Sequence, residues 1–585
     1  MCKKRTLFLG VAVAGLVAAG GYFVYAQRAS IHLSRTEPHD AAAAAPRSPI
    51  DIVNTNFEAP GHNYEARMSK KLAALLQNSK AVPDRLHTEV LTGHQGGAYL
   101  LDAPKVTPNP YGIAPLTAMV SFMTAQPTTV TVTVKGRDGR DLAHTFKQPA
   151  TEHHVPVIGL YPDFANTVVI TSQASDGTKQ SKTLTIKTPP LPAGMPAPEV
   201  VHAKQSHFHD GFYFICINRT KGLQVEKSYA LGFDEFGRVR WWLDTQPASV
   251  MFFKEMPSGH IMSLAPNGFT GDHKIATKGV MEYDLMGHLY NYWMLPYRAH
   301  HDAAALPGGG LVLPSESSTS LDDTLYEVSA AGHGQITNVW DMKKLLPQHR
   351  QPVLDVGAFL PKEDWLHLNA VNYVPQDDSL LITARHQSLV MKFSRRDGQI
   401  KWILGNPAGF PPELQAKLLK PIGKGFELPW SPHAAHFTAN GDLLVFDNGN
   451  FRSFDPQHFT PAYRNYSRAV AYQVDEKNMT VRQVWQYGKE RGSELYAPFL
   501  GIVQDIPAAG TRVIDFGGIV RDRFGNPLDA LGPEVKGQSR IVEVTQDATP
   551  KVVYETAFRS RDRTTNKGFN VYRVLVMQPY DSLGH

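Results

Sequence analysis

From Val200 onward one pattern recurs along the chain: an apolar strand, a turn that usually carries glycine, and a second strand ending near an aromatic residue. The six stretches are "LGFDEFGRVRWWLD", "MEYDLMGHLYNYWML", "YEVSAAGHGQITNVWDM", "MKFSRRDGQIKWILG", "YQVDEKNMTVRQVWQYG" and "VEVTQDATPKVVYETAF". Ahead of most of them stands another hairpin, as in "MPSGHIMSL", "LPGGGLVLP", "PQDDSLLITA", "TANGDLLVF" and "PAAGTRVIDF". Their turns fall roughly 45 to 80 residues apart, a blade-like spacing with long insertions in the later units. Four strands per unit and six units predict an all-β chain with a six-bladed β-propeller over residues 198–585. An irregular all-β protein explains the recurrence poorly.

The rest of the chain divides in front of this body. The Pro-rich stretch Thr188–Val200 follows residues 106–190, where "AMVSFMTAQPTTVTVTVKG" and "NTVVITSQASDGTKQSKTLTIKT" alternate β-branched residues with polar ones. A small β-sandwich is expected there. Residues 31–105 read as a linker and a short helical segment, with Met68, Leu72, Leu75 and Leu76 at helical spacing within Asn63–Ser79. Residues 1–30 open with Lys3, Lys4 and Arg5 and continue through about twenty apolar residues, enough to cross a bilayer. "VYA" at Val24–Ala26 also fits a cleavage site, so a signal peptide and an uncleaved membrane anchor both fit. Either way the body is expected in the periplasm, tethered to the inner membrane if the N-terminal helix stays.

Composition removes several partners. A net charge of +5 over 585 residues, with no block of Lys and Arg among aromatics, argues against nucleic acid. Of the two cysteines, Cys2 precedes the apolar segment and Cys216 lies in "FYFICINR", so no internal disulfide is expected and Cys216 reads as a buried strand residue. No G-x-x-x-x-G-K-[ST] occurs, which argues against nucleotide-linked transfer.

Three histidines fall at nearly equivalent places in successive repeats. Nine residues separate His301 from Leu311 and nine separate His433 from Leu443; His367 stands three residues farther from its matching strand. The same place one repeat earlier holds Met251, so the fold does not require histidine there. Innermost strands line a propeller's channel, so these side chains should converge near the axis. Asn369 lies two residues past His367, and Arg385 follows on the neighbouring strand. Imidazoles, an amide and a guanidinium without a nearby run of carboxylates match an oxyanion such as sulfate or phosphate better than a metal, and HExxH is absent. Register favours His301 over His300 and His433 over His436. Strand alternation would point His386 away from Arg385, and "HFHD" at His207–Asp210 reads as a solvated turn.

At these residues the sequence resembles the bacterial aryl-sulfate sulfotransferases, the arylsulfotransferase family that works without phosphoadenosine phosphosulfate. The resemblance runs from "NPYGIAPLTAMVSF" at Asn109 to near the C-terminus and includes "RWWLD", "DWLHLNAVNY", "DDSLLITARHQ", "KWILGNP", "FDNGN", "YSRAVAYQVDEK" and "VWQYGKERG". It implies a six-bladed propeller behind a β-sandwich, a homodimer, no cofactor, and a ping-pong reaction from an aryl sulfate donor to a phenolic acceptor. It also implies His433 as nucleophile, His367 and Asn369 as the H-x-N element, Arg385 as the sulfuryl-binding arginine and His301 as the first channel histidine. Arg385 and Asn369 would then hold sulfuryl oxygens, and either His367 or His301 would move the phenol's proton. Departures are the absence of a cysteine pair in "KPIGKGFELPW", a short stretch between Pro352 and Asp364, and the extra segment after the apolar run.

Three other activities are weaker matches. "CINRT" after Cys216 lacks the C-x-P-x-R context of formylglycine sulfatases, and no carboxylate set accompanies the faintly quinoprotein-like "SRRDGQIKWILG". A sulfate ester hydrolase or a non-catalytic anion-binding propeller remain the alternatives to a transferase.

Overall fold

The computed structural model describes residues 70–584 apart from 94–96, 205–208, 210, 223, 245–249, 266–278, 296–298, 317–321, 331–334, 354–363, 531–533 and 563–564. The expected signal or anchor at 1–30 and most of the linker lie outside the described residues. Among the described residues no helix is long and apolar enough to cross a membrane. The helical segment runs from Lys70 to Thr92, longer than its apolar spacing indicated, and continues through Pro83. It buries Leu72, Val82, Leu86 and Val90 and is pinned at its middle, where Ser79 Oγ accepts Leu289 N–H at 3.0 Å and Asn78 donates to the Tyr111 carbonyl.

Residues 105–187 form five antiparallel strands joined in one hydrogen-bonded network. Its 17-residue strand Ala118–Val134 pairs with Lys105–Pro108 through its first part and with Ala165–Ala174 through Thr128–Val134. Leu142–Val157 pairs along both parts, with a register shift spanning Pro127, which has no N–H to give the ladder.

Six further sheets, mainly antiparallel and here called A to F, follow among the described residues. Sheets B, C and D are each built from four consecutive strands that start at Met251, Ala304 and Leu368. Sheet E starts with His433–Phe437 and adds the short parallel strand Lys420–Ile422 at its far edge. The quoted hairpins are the strand pairs of these sheets: Thr438–Asp442, for example, makes the turn from His433–Phe437 to Leu443–Asp447. Trp241, Trp293, Trp340 and Trp402, near the ends of four repeats, are fully buried, and truncating such a residue costs about 3–5 kcal/mol.

Sheets A and F join distant parts of the chain. The first strand of sheet A is Lys567–Met577, from the C-terminus, paired with Phe212–Lys221. The last strand of sheet F is Glu199–Ala203, which pairs with Val552–Phe558 before the first repeat begins. First strands contact one another in turn: Ala304–Ala305 with Leu368–Val374, that with His433–Phe437, then Ile502–Ile506, Lys567–Met577 and Met251–Glu255. Cys216 lies buried in Phe212–Lys221, and burial raises its thiol pKa well above the usual value, as fits a packing residue.

Candidate active site

The first strands share a backbone device. Register shifts fall between Met251 and Lys254, Leu368 and Ala370, His433 and His436, and Val571 and Val574. Each is a bulge that re-aims one or two side chains. Left-handed backbone recurs here as well, at Phe252 (φ 41°), His301 (59°), His367 (56°) and Ala434 (53°). Each such non-glycine residue costs about 1–2 kcal/mol and persists where surrounding contacts hold it.

His301, His367 and His433 come together as their register implied, each 3 % exposed. His301 Nε2 lies 3.0 Å from His367 Nε2, and the rings of His301 and His433 are 5.8 Å apart between centroids. His367 Nδ1 meets Asp364 Oδ2 at 2.8 Å, and His301 Nδ1 meets the Tyr572 hydroxyl. These contacts fix a consistent proton order. The Asp364 carboxylate takes the Nδ1–H of His367, whose Nε2 then accepts from His301 Nε2–H, and His301 Nδ1 accepts from Tyr572.

The His433 ring is oriented by an amide. Asn448 donates both Nδ2 hydrogens to backbone carbonyls, of Ala497 at 2.7 Å and Leu500 at 2.8 Å. Its Oδ1 can therefore only accept, and it lies 2.6 Å from His433 Nδ1. The proton belongs on Nδ1, and Nε2 carries the lone pair.

Arg385 stands near, held differently from the expectation. The strand Ser379–Ala384 ends before it, and Arg385–Ser388 is a turn, so alternation does not send His386 to the opposite face. His386 Nε2 accepts from Arg385 Nη1 at 2.9 Å, its Nδ1–H goes to the Asp364 carbonyl, and its ring stacks on His367 at 4.6 Å. Arg385 Nη2 donates to the Pro498 carbonyl, which leaves Nε–H buried without a partner among the described residues. Arg350 braces the turn by donating to Gln387 Oε1 at 2.6 Å. Asn369 donates from Nδ2 to the Pro432 carbonyl at 2.8 Å, next to His433, while its Oδ1 has no partner among the described residues. It thus ties down the strand that bears His433.

Other expectations need correction. Carboxylates are close by: Asp364 beside His367, and Asp322 at 2.7 Å from His300. His300, set aside by register, is buried with its ring 3.7 Å from that of His301. His436 stays apart from the cluster, with Nδ1 at 3.0 Å from the Ala434 carbonyl. His209 of "HFHD" is no solvated turn residue, since it sits 3.5 Å from buried Glu543; His207 and Asp210 lie outside the described residues. Among the functional residues, sequence reasoning missed Asp364 and Asn448, although both sit inside quoted motifs, and it had no register signal for Tyr572.

Burial dominates the electrostatics. It holds His433 and His301 well below the usual histidine pKa, with Arg385 the next cause for the first and His300 for the second. Burial likewise takes His386 to about 3, lifts Asp364 to about 6 and lowers Arg385 to about 10. His301, His386 and His433 are therefore neutral at neutral pH beside the Arg385 guanidinium. His300, His301 and His367, and also Asp364, His367 and His386, stand close enough to share a metal ion. Against a cation are the guanidinium 2.9 Å from His386 and the commitment of His367 Nδ1 to Asp364. For a tetrahedral anion, the free Arg385 Nε–H is the complementary donor, while the bare His433 Nε2 lone pair suits an electrophilic centre.

Comparison with known proteins accords with this chemistry. Residues 198–573 match the family model described as Arylsulfotransferase (ASST), and residues 105–189 match the Arylsulfotransferase Ig-like domain. The chain is similar to the arylsulfate sulfotransferase AssT of Escherichia coli O6:H1, at 26% identity over 80% of this chain and 92% of that protein. It is also 26% identical to AssT of Lelliottia amnigena, over 77% and 91% of the two chains. Among solved structures, the β-propeller domain of Myceliophteria thermophila Cps50 (Swd1) shares 11% identity at a TM-score of 0.31, over 62% of this chain and 96% of that one. With the repeats and His301, His367, Arg385 and His433 inside the matched span, the chain belongs to the arylsulfotransferase family.

Proposed function

We propose that this protein moves a sulfuryl group from an aryl sulfate ester to a phenolic acceptor in two half-reactions, with His433 as the transient carrier and no nucleotide cofactor. The observation that carries the reading is the fixed tautomer of His433, whose Nε2 is left as a bare, neutral nucleophile by the Asn448 contact. In the first half-reaction the Nε2 lone pair attacks sulfur, the N–S bond forms as the aryl S–O bond breaks, and the leaving phenolate takes a proton from the singly protonated His301–His367 pair, whose imidazolium the Asp364 carboxylate stabilises. In the second, the acceptor's oxygen attacks sulfur, its proton returns to the pair, and the N–S bond breaks.

The residue types suit this transfer. By analogy with phosphoryl transfer, the transition state is loose and its charge rests on oxygens, so fixed donors matter more than a strong base. Arg385 offers its free Nε–H to those oxygens. Asn448 keeps the proton on Nδ1 while Nε2 carries the sulfuryl group, so the ring departs from a cationic N-sulfo imidazolium. The hydrogen-bonded order from Tyr572 to Asp364 lets His301 and His367 act as one acid–base unit. The substrate class is supported by the names of the relatives.

The same reading takes sheets A to F as six blades of one propeller, closed by the C-terminal strand in sheet A. It takes residues 1–30 as a signal or inner-membrane anchor, the body as periplasmic and the assembly as a homodimer. The first two rest on the apolar run and its basic start, the dimer on the family resemblance. The test of the reaction is phenol release from several aryl sulfates as the acceptor concentration is varied. Acceptor-dependent release with parallel double-reciprocal lines is expected; release indifferent to acceptor would mean hydrolysis.

A further inference from the structure

Beside the histidines lies a second buried charged group with no assigned part in the reaction. Asp302, directly after His301, is 1 % exposed and meets two cations: Arg573 Nη1 at 3.0 Å and Lys254 Nζ at 3.2 Å. The carboxylate also accepts backbone N–H groups of Ala303 at 2.9 Å and Val371 at 3.0 Å. Lys254 donates to the Val371 carbonyl at 3.0 Å, and Arg573 Nη2 donates to the Asn369 carbonyl at 2.8 Å. This one group therefore touches the backbone of the strand holding Asn369 and neighbours two members of the proton chain, His301 and Tyr572, in sequence.

Its charge does not balance. Two cations share one carboxylate, and among the described residues the other faces packed around Arg573 do not supply a second. Sheet B presents Phe252, whose ring lies 5.5 Å from the guanidinium; sheet D presents the Asn369 carbonyl; sheet E presents His433 and His436; its own strand presents Tyr572. Asp505 of sheet F, which acts on the neighbouring His436, is already paired with Arg512 at 3.0 Å and held by Gln546. A buried surplus cation is expensive to keep unless an anion joins it.

We propose that Arg573 is a positioning residue for sulfuryl transfer, supplying the surplus positive charge that draws the anionic sulfate ester to His433 while Asp302 and the Asn369 carbonyl hold the guanidinium in place. The inference rests on the transferase reading above and adds to it the source of the anion preference. Arg573 also acts on the rings: after burial, it is one of the charges that keep His301 and His433 neutral. The donor is an anion and the acceptor is not, so the charge should matter to the donor alone.

The experiment compares Arg573→Gln and Arg573→Lys with the wild-type full-length protein, using 4-nitrophenyl sulfate as donor and phenol as acceptor. Arg573→Gln should raise the donor KM about tenfold, leave the acceptor KM within about twofold, and move the acid limb of the first half-reaction to higher pH. Arg573→Lys should restore most of the donor KM and the limb. Equal loss of kcat in both variants, with neither the donor KM nor the limb moved, would overturn the proposal and leave a purely structural arginine. If Arg573→Gln does not fold, Lys254→Gln should raise the donor KM in the same direction by a smaller factor, and an unchanged value would count against the charge. Affinity for 4-nitrophenyl sulfate in a His433→Ala background reads the same charge without turnover. A failure of the transferase reading and a failure of this one are thereby separate results.

Discussion

Sheets B and E start their first strands in the same way and end up with opposite chemistry. Both carry a bulge and a left-handed residue at equivalent places, Phe252 in one and Ala434 in the other. Sheet B fills the place with Met251 and Phe252, both buried among apolar residues, whereas sheet E offers His433. The backbone device thus belongs to the repeat, and reactivity depends on the side chain and its partner. His433 is set by Asn448 and His367 by Asp364, while Met251 has only packing.

The strongest way to break this comparison is to remove the imidazole. His433→Ala should lower sulfuryl transfer at least about ten-thousand-fold while the circular dichroism spectrum and unfolding midpoint stay near wild type. Met251→Leu at the matching place should stay within about twofold of wild type in the same assay, because it exchanges one apolar side chain for another of similar volume. Arg385→Lys should cost about a hundredfold in kcat/KM, since an ammonium cannot reproduce the fork that holds His386 and the Pro498 carbonyl and still offer an N–H to the proposed sulfuryl group.

Asn448→Leu sharpens the comparison by sparing the imidazole and freeing its tautomer. Transfer should fall by roughly thirtyfold, and denaturant unfolding should show a loss of about 1–3 kcal/mol because the Leu500 carbonyl loses its donor and the Ala497 carbonyl keeps only Ser467 Oγ.

A separate expected effect is on stability against pH. Burial depresses the folded-state pKa of His301, His386 and His433 below the unfolded value of about 6.5. The unfolded chain then binds more protons in acid, so their contribution is fully present above pH 6.5 and is lost as pH falls toward the folded values. Each such ring should remove up to about 1.4 kcal/mol per pH unit, read from urea unfolding at pH 7 and pH 5.

Much of this was legible in the sequence where the signal is local. Glycine turns between β-branched runs marked the hairpins of sheets B to F, and the offsets to Leu311 and Leu443 put His301 and His433 in register. The closing strand escaped because Lys567–Met577 pairs with Phe212–Lys221 from the far end of the body, and no periodicity carries across that distance. Tyr572 and Arg573 were lost with it. His386 was misread for a different reason: alternation was extended one residue too far, past Ala384, into a turn. Asp364 and Asn448 were visible as letters but not as partners, since their roles depend on which atom of an imidazole they face.

The central claim is that His433 carries the sulfuryl group. Its most direct test is the intact mass of the protein after rapid mixing with an aryl sulfate and no acceptor, followed by peptide mapping under mildly alkaline conditions. The account expects a gain of one sulfuryl group, about 80 Da, located on His433, discharged by added phenol and missing from His433→Ala. An unmodified protein that has nevertheless released a full equivalent of phenol, or an adduct on any other residue, would contradict it.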